Sequence, residues 1–398
     1  MKVRKLIKKI ILILYLCIFC LLYPNYKIIK GKIFFKGIPV FREDNLHYNK
    51  NIPADIDSFK IINNRYAKDK YSAYFMEQYI KNSDVGSFTP IERGISKDKN
   101  NVYKYWLILK DIDVATIKVF NEELEDYDNS YIQDKNGIYF VTIIPFGDIF
   151  LKKIENIDSK SFQELYSGYA KDKKNIFYKG GMIKNADINT FRILEKDEYG
   201  KNEYSLDKNN VFYKGEAIQE ADVKTFKILN FSKYSKDKNN IYYGGKKIEH
   251  IDINTSYMIN FRYLKDKNNV YYNGEKLKDR DSKTFEVLNY NYTKDRNGIY
   301  YDNKKQKEVD VETFKILNSS YAKDKENIYY NNIKIKDVDI KTFEVLNPNY
   351  AKDKKHVYCG EEIIISADPK TFKIIDLEHE LTKDKNNEYQ YCKKIEKN

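Results

Sequence analysis

The chain is poor in the residues from which enzyme centres are most often built. Four histidines stand in 398 residues, His47, His250, His356 and His379, and their scatter gives no metal-ligand spacing. The 16 glycines form no phosphate-cradling loop, dinucleotide fingerprint or nucleophile elbow. Gly180-Gly181 and Gly244-Gly245 read as hairpin turns instead. These absences argue against an enzyme, and no metal or other cofactor is expected. Although the net charge is +12, no long basic block occurs beyond the N-terminus. Lysines alternate with acidic residues, which reads as a solvated mixed-charge surface and not as a nucleic-acid face. Tryptophan occurs once and proline seven times, against 37 tyrosines. With 42% hydrophobic and 33% charged residues, the chain can bury a core.

What is present begins with a leader. Lys2, Arg4, Lys5, Lys8 and Lys9 precede the apolar run IILILYLCIFCLLY, residues 10–23. A charged start followed by a hydrophobic segment marks export or insertion. The run is short for a span, but no small-x-small cleavage site follows it. Leu16 and Phe19 stand where a lipoprotein signal needs a small residue before Cys17 or Cys20. An uncleaved signal anchor over residues 1–26 is therefore expected, a single transmembrane helix lengthened by snorkelling of Lys8 and Lys9. The flanking charge places the N-terminus in the cytoplasm and the rest of the chain outside. Secretion after signal cleavage is the alternative.

The remainder is a ladder. An Asp-Lys or Asp-Arg knot recurs at Asp69, Asp98, Asp134, Asp172, Asp207, Asp237, Asp266, Asp295, Asp324, Asp353 and Asp384, with a constant interval of 29 residues from Asp237 to Asp353. A second aspartate opens an Asp-x-x-Ser/Thr motif between knots, as at Asp84, Asp252, Asp281, Asp310 and Asp339, usually followed by Phe. Tyrosine lies three residues before the knot in nine of eleven copies, and an aromatic lies five residues after it in all of them. Lys-Asp-Lys-Asn-Asn is turn chemistry, because Asp and Asn tolerate left-handed backbone and bond their own main chain. A β-branched residue and one or two tyrosines then read as a strand, and Asn273-Gly274 or Gly244-Gly245 as a hairpin turn. Asp-x-x-Thr-Phe reads as one capped helical turn, with Pro369 directly after Asp368. The apolar residues after it, as in Phe314-Lys315-Ile316-Leu317, read as anchors to the core.

The expected fold is mainly β. Tandem repeats of about three short strands and a capped helical turn cannot bury enough surface alone, so neighbours stack. An elongated solenoid-like array is expected, with a propeller-like ring as the alternative. Residues 27–54 are expected to form a linker and degenerate capping repeat, and residues 55–398 the array. Insertions fall at 114–133, 140–157 and 191–206.

The signature Y-x-K-D-K-N-N-[IV]-Y-Y-x-G is best developed at Tyr234 to Gly244 and Tyr263 to Gly274, and decays at Ser96 to Trp106 and in the last copy. It resembles the DKNYY family of bacterial repeat proteins. The resemblance implies an exported or membrane-anchored protein and supplies no catalytic residue.

Three site expectations follow. The knot aspartates, among them Asp237, Asp266, Asp295, Asp324 and Asp353, are expected to be structural, bonded within their own turns and paired with lysine. A calcium loop is disfavoured because lysines flank the single carboxylate. Of each tyrosine pair, Tyr242, Tyr271, Tyr300 and Tyr329 are expected inside. Tyr243, Tyr272, Tyr301 and Tyr330 are expected as the more exposed row, a platform for a sugar or peptide. Their position varies more, becoming Lys104, Cys359 or Gln390 elsewhere. Cys359 and Cys392 occupy nearly equivalent places in the last two repeats, so stacking could bring them within disulfide range, and two free thiols are the alternative.

The function expected is a non-catalytic binding or scaffold module of the cell envelope, with a protein or glycan partner and a membrane anchor. Alternatives are a wall-polymer hydrolase with its site in the insertions, and a purely structural spacer.

Overall fold

The computed structural model describes residues 25–395, apart from 30, 44–50, 121–128, 145–146, 195–202, 230–232 and 378–379. The expected anchor falls almost wholly outside them. Among the described residues no helix is long and apolar enough to cross a membrane.

The regular elements described are all short β-strands. Eleven four-stranded sheets follow one another, each an antiparallel meander of strands consecutive in sequence. A three-stranded sheet within residues 26–39 and the pair Phe41–Glu43 with Asn51–Pro53 precede them. Much of the expected linker is therefore strand, and Tyr26, placed at the end of the expected anchor, opens the first one, Tyr26–Ile29.

One sheet stands for the rest. Its strands are Lys227–Ile228, Tyr234–Lys236, Ile241–Tyr243 and Lys246–Lys247. The knot turns the chain between the second and third strands, setting Tyr234 opposite Tyr243 and Ser235 opposite Tyr242. Gly244 and Gly245 have φ of 57° and 76°, and Asn331 and Asn332 of the equivalent hairpin 43° and 68°. Both central residues of a type I′ turn need this left-handed backbone, which Gly and Asn accept most readily.

One expectation is corrected. Each sheet has four strands, because the apolar stretch after Asp-x-x-Thr-Phe pairs as a strand: Lys315–Ile316 lies against Tyr321–Lys323. The residues expected as core anchors thus open the next sheet. The Asp-x-x-Ser/Thr element is a single turn closed by its aspartate. Asp281 Oδ1 accepts hydrogen bonds from the amide and hydroxyl of Thr284, and the next strand starts at Glu286, leaving no room to propagate a helix.

The cores lie between successive sheets. Contacts divide the chain into two compact units, residues 1–226 and 227–398. In the second, Tyr321, Ile328 and Ile335 pack with Ala351 and Tyr358 of the following sheet. Tyr234, Ile241 and Ile248 do the same with Leu264 and Tyr271. In the first unit, Tyr169, Ile176 and Ile183 meet Phe212. Side chains alternate across a strand. One face of a sheet therefore carries the pre-knot tyrosine and the β-branched residue toward the sheet after it. The other carries a small or aliphatic residue and the invariant aromatic toward the sheet before it. Strands of two to four residues are too short to be stable alone, so this double-faced burial is what holds them.

The expected insertions lie partly outside the described residues. Residues 114–133 and 191–206 span connections from a first to a second strand, and 140–157 spans a third-to-fourth-strand hairpin. In that hairpin's sheet the strands lengthen to Asn129–Asp134 and Gly137–Ile143.

Candidate functional site

The knot closes a repeated polar network, shown in full where the signature is weakest. Asp98 is 2% exposed. Its Oδ1 accepts from the amides of Asn100 and Asn101 at 2.7 and 2.8 Å. Its Oδ2 accepts from Tyr103 Oη and from the amide of Asp84, both at 2.7 Å. Asp84 in turn takes the amide and hydroxyl of Ser87 on one oxygen and holds Lys99 Nζ at 2.8 Å on the other. The Lys99 amide donates to the Ser87 hydroxyl. Lys97 Nζ reaches forward to the Val114 carbonyl of the following turn, as Lys68 does to Val85 and Lys265 to Ser282.

The Lys-Asp-Lys triplet is thus a junction. Its first lysine ties to the turn ahead, its aspartate to the amide of the turn behind, and its second lysine to the carboxylate of the turn behind. This corrects the expected pairing: the lysine salt-bridges the upstream turn aspartate and not the knot aspartate. Lys267–Asp252, Arg296–Asp281, Lys325–Asp310 and Lys354–Asp339 repeat it.

All eleven knot aspartates are buried, Asp237, Asp266, Asp295, Asp324 and Asp353 among them. Burial alone would raise the carboxyls of Asp98, Asp324 and Asp353. Hydrogen bonds from the partner tyrosine and several amides outweigh it and hold them below the usual range. Asp84 and Asp310 are held at about 2, chiefly by Lys99 for the first and Thr313 for the second. With hydrogen-bond donors on both of its oxygens, a knot carboxylate such as that of Asp98 is committed to the fold.

The tyrosines divide into three roles. Tyr242, Tyr271, Tyr300 and Tyr329 are buried, and Tyr242 and Tyr329 donate to their own knot aspartates at 2.8 Å. The tyrosine before the knot is a latch. Tyr234 Oη donates to the Arg262 carbonyl at 3.0 Å and accepts the Gly274 amide at 2.9 Å, both in the next repeat. Tyr131 bonds Gly168 and Gly180 in the same way, and Tyr292 accepts the Asn332 amide. Burial pushes the Tyr263 hydroxyl up to about 12. Sequence reasoning counted this tyrosine but assigned it no role, because its partners are backbone groups.

The third row, Tyr243, Tyr272, Tyr301 and Tyr330, is half-buried and the more exposed of the pair. Each ring packs on its latch tyrosine, with centroids 4.7 to 5.0 Å apart. The following hairpin closes over the row, and a Cβ added to Gly274 would come within 2.5 Å of Tyr243 Cβ. The physical reason is that, within a unit, the next sheet packs on the face that carries this row. Variation at this position reflects a changed partner: Lys104 is fully buried, and its Nζ donates to the Arg93 carbonyl and Ser130 hydroxyl.

Lys104 belongs to a cluster that sequence reasoning missed. Arg93 Nη1 meets both carboxylate oxygens of Glu164 at 2.7 Å, and both side chains are 1% exposed. The guanidinium also donates to the carbonyls of Phe120 and Asn129. The cluster ties three successive sheets across the insertions. Its partners lie 71 residues apart, which no local pattern announces. It is sealed from solvent and filled with hydrogen bonds, so it serves packing. Cys359 and Cys392 are joined as a disulfide between the last two sheets, with Cα atoms 5.9 Å apart.

The DKNYY family matches residues 21–106, 94–216, 148–275, 204–333 and 263–393, in overlapping registers across the array. The chain belongs to the DKNYY family. The signature that recurs in this chain is made of the residues just described: Asp and Lys of the junction, Asn of the turn, and the paired tyrosines. No curated protein and no solved structure matches the chain. In this DKNYY protein the signature is accounted for by architecture.

Proposed function

We propose that the chain is a membrane-anchored, extracytoplasmic scaffold of the bacterial cell envelope, non-catalytic, that holds a protein or glycan along a repeated surface. The observation that carries this reading is the fate of the repeated polar residues. Every knot carboxylate is buried and hydrogen-bonded inward, which leaves none for work on a substrate. The charged, apolar leader supports anchoring, and the Cys359–Cys392 bond supports an oxidising location. The surface available to a partner is the exposed hairpin lysines, Lys247, Lys276, Lys305 and Lys334, with the rims of Tyr243, Tyr272, Tyr301 and Tyr330. An open stack is proposed for the array, because eleven four-stranded sheets exceed the roughly four to eight blades of a closed propeller.

The test is retention of envelope proteins and an array of wall glycans by the full chain in detergent. Wild type is expected to retain a ligand that a variant with the four hairpin lysines changed to glutamate releases. Retention of nothing would favour the spacer. Cleavage of wall polymer by the purified protein would overturn the reading in favour of a hydrolase.

A further inference from the structure

The last inter-sheet junction differs from those before it. At upstream junctions the residue eight places after a knot sits against the residue six places after the preceding knot. Cβ atoms added to Gly180, Gly215 and Gly274 would lie 2.9, 3.0 and 2.5 Å from the Cβ atoms of Phe140, Tyr178 and Tyr243. The same two positions in the last pair of repeats are Cys392 and Cys359, and there a disulfide joins them. Cys392 keeps the left-handed backbone of its glycine counterparts, with φ of 67° against 82° for Gly274. Its Sγ lies 3.7 Å from the latch hydroxyl of Tyr350.

The sheet so fastened, with strands from Lys373–Asp376 to Lys393–Lys394, keeps the bonds of Asp384 and Lys385 to Asp368 and packs Tyr389 against Tyr350 and Val357, but it lacks both paired tyrosines of its own. Leu381 stands where most repeats place the latch tyrosine, and exposed Gln390 where they place the second tyrosine. Ile375, Leu377, Tyr391 and Ile395 are exposed.

We propose that Cys359–Cys392 is a redox-controlled lock, which replaces the aromatic-on-glycine contact and fastens the terminal sheet to the array. Oxidation of the two thiols by a disulfide-carrying oxidoreductase forms the S–S bond and passes two electrons and two protons to that enzyme's own disulfide. Reduction by a dithiol reverses it and frees the terminal sheet. The lock is independent of whether the array is a binder or a spacer.

The experiment is amide hydrogen exchange on the full chain in detergent, with and without a phosphine reductant. Reduction is expected to speed exchange in residues 381–390 by about tenfold or more, while residues 263–272 stay unchanged. Cys392→Gly should exchange fast under both conditions. The double variant Cys359→Tyr/Cys392→Gly, which restores the upstream contact, should be protected and indifferent to reductant. The proposal is overturned if reduction leaves the terminal sheet protected, if the oxidised protein yields no disulfide-linked peptide pair, or if the double variant frays like Cys392→Gly.

Discussion

At the residue scale, the knot aspartate and the lysine after it look alike in sequence but differ in weight. Asp98→Asn would set an amide against two donors, Tyr103 Oη and the Asp84 amide. A loss of about 1–3 kcal/mol is expected, read by urea denaturation, because buried donors go unpaired. Lys99→Ala removes only an exposed ion pair and should barely move the same curve. The pH dependence follows from the same groups. Folding lowers the carboxyls of Asp84, Asp98 and Asp310 below 3.8. The stability they contribute is full above that value and lost as pH falls through the depressed ones, which reach about 2 for Asp84 and Asp310. Burial raises Tyr263 and Tyr300 to about 12, so their contribution is full below the ordinary value of 10.0 and lost as pH rises beyond it. Near-ultraviolet dichroism of the tyrosines should hold from about pH 4 to about pH 10 and decline progressively beyond those limits, toward about pH 2 and about pH 12. Acid loss beginning above pH 5 would contradict the network.

At the element scale, the latch and the hairpin decide how sheets join. Tyr234→Phe removes a hydroxyl that serves two backbone groups of the next repeat. A loss of about 1–3 kcal/mol is expected, with faster exchange at the 263–272 hairpin and little change upstream. Gly274→Ala is destabilising for two reasons, φ of 82° and the approach of Tyr243. The Arg93–Glu164 pair is a different joint. Glu164→Gln leaves a guanidinium buried without its counter-ion and should cost about 3–5 kcal/mol in thermal or urea unfolding of residues 1–226. Legibility changes at this scale. Three of the four strands and both turns were readable, because alternation, Asx chemistry and Asn-Gly act within a dozen residues. Phe314 and Ile316 do pack on the core, but the first strand was missed, since two residues such as Lys315–Ile316 carry no period and owe their conformation to the strand beside them. Asp-x-x-Thr closes one turn, and the strand that follows at Glu286 takes up the chain directly after it.

At the scale of the whole molecule, the repeats should unfold as coupled neighbours and not as one block, since each sheet's stability resides in its junctions. Removing one latch should therefore broaden the urea transition, a result visible in probe-dependent midpoints. Protease added to intact cells tests topology: the array should be digested while a tag fused before Met1 survives. Small-angle scattering of the full chain in detergent would distinguish the proposed open stack from a ring by its maximum dimension.

By itself the sequence determined the repeat, its β character, the inward role of Tyr242 and its equivalents, and family membership. All of these arise from chemistry repeated at short range and a fixed interval. Tertiary structure alone decided what each polar group bonds to. It turned the second lysine of the knot toward the turn behind and made the pre-knot tyrosine a latch. It half-covered the row of Tyr243, Tyr272, Tyr301 and Tyr330, and it brought Arg93 to Glu164. Those outcomes depend on the offset between stacked sheets, which sets a side chain from one repeat against the backbone of another. No spacing along one strand encodes that offset.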